Sequence, residues 1–525
     1  MYEALSLGLI MVTFFLGSFP APRVPQQEDA DTRAKARNFL KEATELASEI
    51  KSPTDRSIVL VRIGEISWRA GDKATATESF DSALKIVNTR AEENLDQDPR
   101  EHTRASIAIA RARAGDVDGA QRTVSLIEDD SEKAFALSQI ALAQARAKNF
   151  ADAVHTASAL NDPDLRDQSF AWIANVQARA GDPLGAAQLA HSIKNAQYRA
   201  QSLAYIADLT ANGGHAGEAR SAVQEALRAA EQAEPREGGA GRSSLAACAS
   251  DEPEPPRDAA LESVALTQAR TGDTAGALET INRMHDKSGR ENMLATVAEY
   301  QARAGDFAGA RASIAAISRD ACKTAALHGV AVAQFEAGDL SAALLTVNDM
   351  TDPAQKAGTL TYLGRLVADQ GSFNSAMGIL ARARVIASQL TDRQQRVDVL
   401  EVIARIQAQA GSRYEAAKTL AEAVPDAIAA DEQAKRDHAW SSVLPDLIEL
   451  QAEMGDLDGA SANLVHVDDN DRTFILQKAA RALSKVGDMQ GASAWAARQV
   501  SPRDKALALI GVAEGLLEKP EIEKK

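Results

Sequence analysis

Apolar residues recur along the chain at helical spacing, in pairs of segments that meet at a glycine. Met293 and Val297 precede Gly305, for instance, and Ala310 and Ile314 follow it. Residues three or four positions apart lie on one face of a helix. The pattern predicts a helix on each side of the glycine, which together make a helical hairpin.

This unit recurs, and its glycine position serves as an anchor for counting. The anchors are Gly71, Gly115, Lys148, Gly181, Gly214, Gly272, Gly305, Gly338, Gly371, Gly411, Gly455 and Gly487. Six of the eleven intervals between them are 33 residues. A period of this length is typical of a solenoid of helical hairpins.

The residue types near the anchor fit a tight corner. Glycine suits the left-handed position that ends the first helix, and the Asp that follows it in eight of the twelve units suits the N-cap of the second helix. Seven positions before the anchor, eleven units carry Ala or Gly, as expected where two helices come close. Five positions after the anchor every unit carries alanine: Ala76, Ala120, Ala153, Ala186, Ala219, Ala277, Ala310, Ala343, Ala376, Ala416, Ala460 and Ala492.

A basic residue fifteen positions before the anchor recurs in eleven units, although a cation at the start of a helix opposes the helix dipole. We expect it to pair with acidic residues that end the preceding unit, such as Asp162 or Asp352. Such pairs would set the angle between neighbouring hairpins.

The repeat covers nearly the whole chain. Half units, one helix each, are predicted at its two ends, so the expected fold is all-α: a right-handed α/α superhelical solenoid of about twelve hairpins and about 26 helices. The expected organisation is a leader or tether (1–28), an N-terminal block (29–233), a flexible Gly/Pro/Ser-rich loop (234–256) and a C-terminal block with its capping helix (257–519). One continuous superhelix is favoured over two independent domains.

The repeated pattern resembles the tetratricopeptide repeat. It consists of a Leu, a small residue four positions later, Gly-Asp seven positions after that, and an Ala five positions past the glycine. The resemblance covers about residues 30 to 518. Departures are the 33-residue period and glutamine where the family has a mid-helix tyrosine, in seven units: Gln144, Gln177, Gln268, Gln301, Gln334, Gln407 and Gln451. A related hairpin solenoid stays open as an alternative.

The amino terminus suggests export. Residues 4–19 are sixteen uncharged, mostly apolar residues, followed by a Pro-rich and polar stretch. Glu3 stands where a basic residue is usual, and no clear cleavage site follows. We expect an exported (periplasmic or extracellular) protein, with an uncleaved membrane anchor or a misassigned start as alternatives; any membrane contact is expected through this segment alone.

Composition and the absence of known motifs limit the partners and the catalytic chemistry that we expect. The net charge is -16, from 74 acidic and 58 basic residues, so nucleic acid is not expected as a partner. Cys248 and Cys322 are expected to have no role, although a pair in an exported chain could form a bridge. No catalytic, phosphate-binding or metal-binding motif is found, and no cofactor is expected.

The candidate binding residues are arginines two positions before the anchor. They are Arg69, Arg113, Arg146, Arg179, Arg270 and Arg303. The resemblance implies that this position faces the concave groove, where stacked arginines would suit an acidic peptide. The alternative is structural: each arginine near a helix carboxyl end stabilises the dipole and pairs with the acidic residue beyond the glycine.

Two functions remain. The favoured one is a non-enzymatic scaffold that binds a peptide or partner protein along the concave face. The other is an enzyme whose paired helices close into an α/α ring around a carbohydrate or lipid. Aromatic residues make up only 4% of the chain, and a bare half unit at each end suggests an open superhelix, so we expect no enzyme.

Overall fold

The computed structural model describes residues 30–89, 98–233, 255–436, 443–467, 469–485 and 487–518. Within them the chain forms 26 α-helices and no strand, which confirms the all-α repeat architecture. The first thirteen are α1 (Ala30–Glu49), α2 (Pro53–Arg69), α3 (Lys73–Thr89), α4 (Asp98–Ala114), α5 (Val117–Val124), α6 (Asp130–Arg146), α7 (Phe150–Ser158), α8 (Pro163–Arg179), α9 (Pro183–Ser192), α10 (Ala196–Asn212), α11 (Ala216–Glu231), α12 (Pro256–Arg270) and α13 (Thr274–Asn282).

The chain continues with the same alternation, interrupted by one short 3₁₀ turn, Leu464–His466. From α2 on, each even-numbered helix is the first helix of a unit and the odd-numbered helix after it is the second. The remaining helices are α14 (Lys287–Arg303), α15 (Phe307–Ala315), α16 (Asp320–Glu336), α17 (Leu340–Asn348), α18 (Pro353–Asp369), α19 (Phe373–Ala387), α20 (Arg393–Gln409), α21 (Arg413–Arg436), α22 (Val443–Glu453), α23 (Leu457–Asn463), α24 (Asp469–Lys485), α25 (Met489–Ala497) and α26 (Pro502–Leu517).

The predicted corner is confirmed at every anchor. All eleven anchor glycines have positive φ, and the twelfth anchor, Lys148, also does, at 65°. At Gly305 the amide donates to the carbonyl of Ala302 and the amide of Asp306 donates to that of Gln301, which satisfies the end of α14. The Asp306 carboxylate then accepts from the amide of Gly309 and caps α15.

Inside a hairpin, the small residue seven before the anchor faces the residue nine after it. A Cβ added at Gly64 would lie 2.7 Å from the ring of Phe80, and one at Gly364 would lie 2.8 Å from Leu380. Phe80 and Leu380 are both buried. Glycine therefore stands opposite these bulky side chains because the two helices leave no room for even a methyl group.

Four of the seven glutamines that stand four positions before the anchor accept a hydrogen bond from a hydroxyl of the second helix and so bridge the hairpin. Gln301 accepts a hydrogen bond at 2.8 Å from the hydroxyl of Ser313, and Gln268 accepts one at 2.7 Å from Thr280. The same bond recurs from Thr346 to Gln334 and from Thr419 to Gln407. A glutamine amide paired with a hydroxyl therefore links the two helices of these hairpins.

Pairing of the basic residue fifteen before the anchor with Asp162 or Asp352 stays a prediction. The two aspartates cap α8 and α18. Arg290 donates to the carbonyl of Met284 at 2.9 Å, and Arg199 donates to that of Ile193 at 2.8 Å. Since each carbonyl follows the end of the preceding second helix, the cation interacts with a negative dipole end. Arg199 also donates to the side chain of Gln232 at 3.1 Å.

A buried carboxylate supplies the link between successive hairpins that we had assigned to those pairs. Asp167 accepts from the amide of Asn195 at 2.7 Å, and Glu291 accepts from the amide of Arg319 at 3.0 Å. Asp258 and Glu101 bond to the next unit in the same way. Each follows the basic residue directly, so an Arg-Asp or Arg-Glu pair is the sequence signal for this link.

The chain divides into two compact units. Described segments of one unit lie within Leu137–Thr351, and those of the other lie in the chain up to Ala136 and from Asp352 onwards. In the second unit α1 packs along α26, and α26 also contacts α2. The two half units are present as predicted, but they cover each other, so the inference that both stand bare is wrong.

Several predictions fall outside the described residues, among them those for the leader (1–28) and for most of the loop (234–256). No described helix combines the length and the apolar character that crossing a membrane requires. Cys322 is fully buried in α16 and is disulfide-bonded, so it is not the inert residue we expected.

Candidate functional site

The six predicted arginines all end first helices, but they do not belong to one unit. Arg146, Arg179, Arg270 and Arg303 lie in the unit within Leu137–Thr351, whereas Arg69 and Arg113 lie in the other. The ion-pair partners of Arg69, Arg270 and Arg303 are not the acidic residues beyond the glycine that the structural interpretation named. Those acidic residues cap second helices, and the partner carboxylates lie on other first helices, just after one, or on the same helix.

Two of the arginines in the first unit form ion pairs. The Nη1 of Arg270 lies 3.1 Å from the Oδ2 of Asp208 on α10. Arg303 lies 3.0 Å from Glu299 one turn earlier on α14 and 3.5 Å from Glu336 on α16. These pairs hold neighbouring first helices together as well as placing cations on their surface.

Arg179 differs from both. Its side chain is exposed at the end of α8 and has no ion-pair partner among the residues that the structure describes. A cation that holds no carboxylate is available to a ligand without breaking an existing contact.

Two tyrosines lie among these charges. Tyr205 on α10 and Tyr300 on α14 are half-buried, and burial raises the pKa of both phenols. The charges of Arg270 and Asp208 act on the pKa of both phenols, Arg270 lowering it and Asp208 raising it. The guanidinium of Arg303 lies 5.7 Å from the centre of the Tyr300 ring.

Asp208 is the buried centre of this group. It is 4% exposed, and burial raises the pKa of its carboxyl while Arg270 opposes the rise. Its Oδ1 atom is buried and has no hydrogen-bond partner in the described part of the chain. The tyrosine–arginine cluster, as we name it, consists of Arg179, Tyr205, Asp208, Arg270, Tyr300 and Arg303.

Sequence reasoning found three members of the cluster and missed Tyr205, Asp208 and Tyr300. The missed residues stand nine, six and five positions before their anchors, so they share a helix face with the arginine two positions before it. These positions, two, five, six and nine before the anchor, could have pointed to the cluster from sequence. No single unit carries the cluster residues at all four of them.

Arg69 and Arg113 have other surroundings. Arg69 lies 3.0 Å from Glu514 and 3.8 Å from Glu518, both on or just after α26, so it joins the two ends of the chain. Arg113 is exposed, yet protein atoms crowd its guanidinium enough to lower its pKa, with Glu65 opposing the effect. Arg146 is half-buried at the end of α6.

The second unit carries a mixed-charge network that sequence reasoning also missed. Arg405 on α20 lies 2.7 Å from Glu401 and 3.1 Å from Glu453, and Lys478 pairs with Glu449. Burial raises the pKa of Glu401 and of Glu453, while Arg405 holds both down. Among the described residues, no group of three or more His, Cys, Asp or Glu is placed to hold a metal ion.

Comparison with known proteins gives only distant likenesses. No family model matches the chain, and no curated protein matches it. Similar solved structures include Ton1535 from Thermococcus onnurineus NA1, at 13% identity and a TM-score of 0.22, with 78% of this chain and 99% of that chain covered. A circular tandem repeat protein with novel repeat topology has a TM-score of 0.15 at 13% identity and covers 92% of this chain and 96% of its own.

Human IFIT1 is also among them, at 13% identity and with 76% of this chain and 95% of that chain covered. Its two structures, one with m7Gppp-AAAA and one with PPP-AAAA, have TM-scores of 0.27 and 0.26. Our exclusion of nucleic acid from the net charge is contradicted by these structures and is withdrawn. At such scores the likeness carries no argument about the ligand of this chain.

Proposed function

We propose that this helical repeat protein is a non-enzymatic scaffold that binds a peptide or partner protein on the exposed face of its first helices. The observation that carries the proposal is the tyrosine–arginine cluster. It combines an arginine that has no ion pair among the described residues, two half-buried aromatic rings and a buried carboxylate on neighbouring helices. Partly exposed Tyr and Arg side chains are the residue types enriched at protein interfaces.

The alternation of charge within the cluster favours a polypeptide over a small apolar ligand. Arg270 offers donors, Arg179 offers a cation that has no ion pair in the described part of the chain, and the tyrosine rings offer apolar surface. A polypeptide presents donors, acceptors and apolar groups at short intervals along its length. Several such contacts along successive helices would add to one another.

The rival proposal is an enzyme built on a closed α/α ring. Packing of α1 on α26 removes one objection to it, because the chain ends are not bare. The scarcity of aromatic residues remains an objection, since carbohydrate sites rely on aromatic platforms. The scaffold is therefore the function we propose.

The test is recovery of cross-linked partners from the native cells with tagged full-length chain. Arg179→Glu is compared with Arg311→Glu, a matched control on the second helix α15 that is likewise exposed and without an ion pair among the described residues. Neither change removes an ion pair among the described residues; Arg179→Glu places an anion at the carboxyl end of α8 and should lower the melting temperature only slightly, whereas Arg311→Glu should leave it unchanged. A triple variant, Arg179→Gln with Arg270→Gln and Arg303→Gln, extends the change over the cluster.

Loss of a stoichiometric protein partner in Arg179→Glu but not in Arg311→Glu would support the scaffold and its face. Equal recovery in both variants and in the triple variant would reject this face as the binding surface. Recovery of RNA as the stoichiometric partner would replace the proposal with a nucleic-acid function. Recovery of the chain alone would favour the enzyme.

We also propose that the protein is a divergent member of the tetratricopeptide repeat family and that it is exported. The corners and small positions support the first. The apolar segment 4–19 and the disulfide-bonded Cys322 support the second, because disulfides persist in oxidising compartments. Amino-terminal sequencing of the mature protein, with thiol labelling before and after reduction, tests export: an intact Met1 and two free thiols would contradict it.

A further inference from the structure

We propose that the neighbouring first helices α8 and α10 form a subsite for a proline-rich segment of the bound partner, in the polyproline II conformation, with an acidic side chain that binds Arg179. This inference rests on the proposed binding function and names the chemistry of the segment that the face would hold. The accessibility of four side chains, the donors that they offer, and the spacing of two aromatic rings support it.

Trp172, Asn175 and Arg179 form an outward stripe of α8. They stand three and four positions apart, so they lie on one face of the helix. Arg179 is exposed and the other two are partly exposed, whereas Ala174 and Ala178 between them are buried. A ligand can therefore reach the side chains of this stripe from solvent.

The polar groups on this surface are hydrogen-bond donors that the protein leaves unused. The indole Nε1 of Trp172, the Nδ2 of Asn175 and the hydroxyl of Tyr205 on α10 bind no other group in the described part of the chain, and none of the three atoms is buried. An indole and a guanidinium can only donate. The surface is therefore rich in donors and fits a ligand that is rich in acceptors.

Contact with α10 holds Asn175 in place. Its Oδ1 lies 3.3 Å from the hydroxyl of Ser202, which is buried and lies 3.3 Å from the carbonyl of Ala171 as well. The contact occupies the acceptor of the amide and leaves its two N–H donors for a ligand. Because the amide is fixed before a ligand arrives, binding costs less side-chain entropy.

Trp172 and Tyr205 place two aromatic rings at equivalent positions of neighbouring helices. Each stands nine positions before its anchor, and α8 packs on α10. Packed helices lie about 8–10 Å apart, and one turn of a polyproline II helix, three residues, rises about 9 Å. Prolines three positions apart would therefore meet the two rings in succession, as in the aromatic grooves that bind such segments.

A proline-rich backbone also matches the donors. Proline has no N–H group, so such a segment presents carbonyl acceptors and apolar rings. Arg179 has no ion pair among the described residues, and a carboxylate of the partner would supply one. One unpaired cation at the end of the stripe calls for one acidic residue at the corresponding end of the segment.

The experiment measures binding of synthetic peptides to the full-length chain by ligand-observed NMR. The probe is a terminally blocked decaproline in which one central proline is replaced by aspartate. A second peptide has asparagine instead of that aspartate, and a third keeps the aspartate but has alternating glycine and serine instead of proline. The variants are Trp172→Ala and Arg179→Gln. Their matched controls, Phe474→Ala and Arg311→Gln, remove exposed side chains outside the subsite.

We expect the proline–aspartate peptide to bind the wild-type chain and the glycine–serine peptide to bind at least about tenfold more weakly. The asparagine peptide should bind about two- to fivefold more weakly. Trp172→Ala should weaken the proline–aspartate peptide by about tenfold or more, and Phe474→Ala should not weaken it. Arg179→Gln should abolish the preference for aspartate over asparagine, which Arg311→Gln should keep.

Three results would overturn the subsite: no binding of the proline–aspartate peptide to the wild-type chain, equal binding of the glycine–serine peptide, or a preference for aspartate that survives Arg179→Gln. A single-stranded oligothymidylate is titrated in parallel. If it binds more tightly than the proline–aspartate peptide and loses affinity in Trp172→Ala, the face belongs to nucleic acid and the proposal is wrong.

Should Trp172→Ala fail to fold, the three peptides on the wild type and on Arg179→Gln still decide the question. Failure of this subsite is separable from failure of the scaffold. If the peptides do not bind but Arg179→Glu still loses its protein partner, the scaffold stands and only the proline-rich segment is wrong.

Discussion

Arg69 near the start of the chain donates a hydrogen bond to Glu514 near its end, at 3.0 Å across 445 positions of sequence. Around this contact, Lys505 lies 3.1 Å from Glu42, and Arg503 lies 3.2 Å from Asp55. The two half units, α1 and α26, are not consecutive in the sequence, yet they pack together as the two helices of one hairpin. In the second unit the array is continuous through that hairpin.

A circular permutant should therefore fold. Joining Glu518 to Ala30 by a short Gly/Ser linker supplies the corner that this hairpin lacks, and new ends can be opened within residues 238–243, in the Gly-rich stretch. We expect wild-type helical circular dichroism and a melting temperature no lower than that of the native chain, because closing a short loop costs little. A permutant that loses its helical signal would contradict the hairpin.

A substitution in the buried face of α1 tests the same packing of α1 on α26. Leu40 on α1 is 2% exposed, and Leu40→Asp should bury a charge against α26. We expect loss of several degrees in melting temperature and increased proteolysis of α1. The exposed Lys41→Asp is the matched control and should leave both unchanged.

Gly64 and Phe80 should be energetically coupled. Gly64→Ala places a Cβ 2.7 Å from the ring, so overpacking of about 1–3 kcal/mol should outweigh the gain of about 1 kcal/mol in helix propensity. In a Phe80→Val background the same change should be neutral or stabilising, as in the native Ala331 and Val347 pair of another unit. Urea unfolding of the four proteins measures the coupling; additive effects would show that the two residues do not meet.

Asp167 should hold two hairpins together. Its carboxylate is 4% exposed and accepts the amide of Asn195 at 2.7 Å, so Asp167→Ala leaves that amide unsatisfied. We expect a loss of about 1.5–3 kcal/mol in unfolding free energy. Asp152→Ala on the exposed side of α7 is the control and should cost little. Similar midpoints for the two variants in urea would mean that the link contributes nothing.

Arg405→Gln should destabilise the chain more at pH 8 than at pH 5. The change removes the cation that holds Glu401 at 2.7 Å and Glu453 at 3.1 Å. Because burial already raises the pKa of both carboxyls, removing Arg405 raises it further in the folded state. The folded variant then binds protons more readily than the unfolded chain, so its stability falls as pH rises through that window.

At pH 8 we expect a loss of about 1–2 kcal/mol, reduced by partial exposure of the network, and a smaller loss at pH 5. Urea midpoints at the two pH values measure the difference. Arg413→Gln, exposed at the start of α21 and without an ion pair among the described residues, should show no such pH dependence. A deficit equal at both pH values would exclude titration of the two glutamates as its cause.

The corners and the helix count follow from sequence because they depend on local chemistry. Each anchor needs a residue that adopts positive φ, and the helix after it is capped by a side chain that carries an oxygen. Adjacent residues, such as Gly305 and Asp306, meet both requirements. The small residue and the side chain it faces inside a hairpin, such as Gly64 and Phe80, are also near in sequence. Their spacing is therefore legible in every unit.

The site depends on contacts that no local pattern contains. Arg270 is an ordinary last-turn arginine in sequence, and only packing of α12 on α10 gives it Asp208 as a partner, 62 positions earlier across a long insert. Arg69 likewise meets Glu514 only because α1 and α26 complete one hairpin from opposite ends of the chain. The sequence by itself determined the repeated hairpin, since its hydrogen bonds and close packing are short-range. The tertiary structure alone decided which charges are paired, buried or left free, because that depends on which helix faces meet in space.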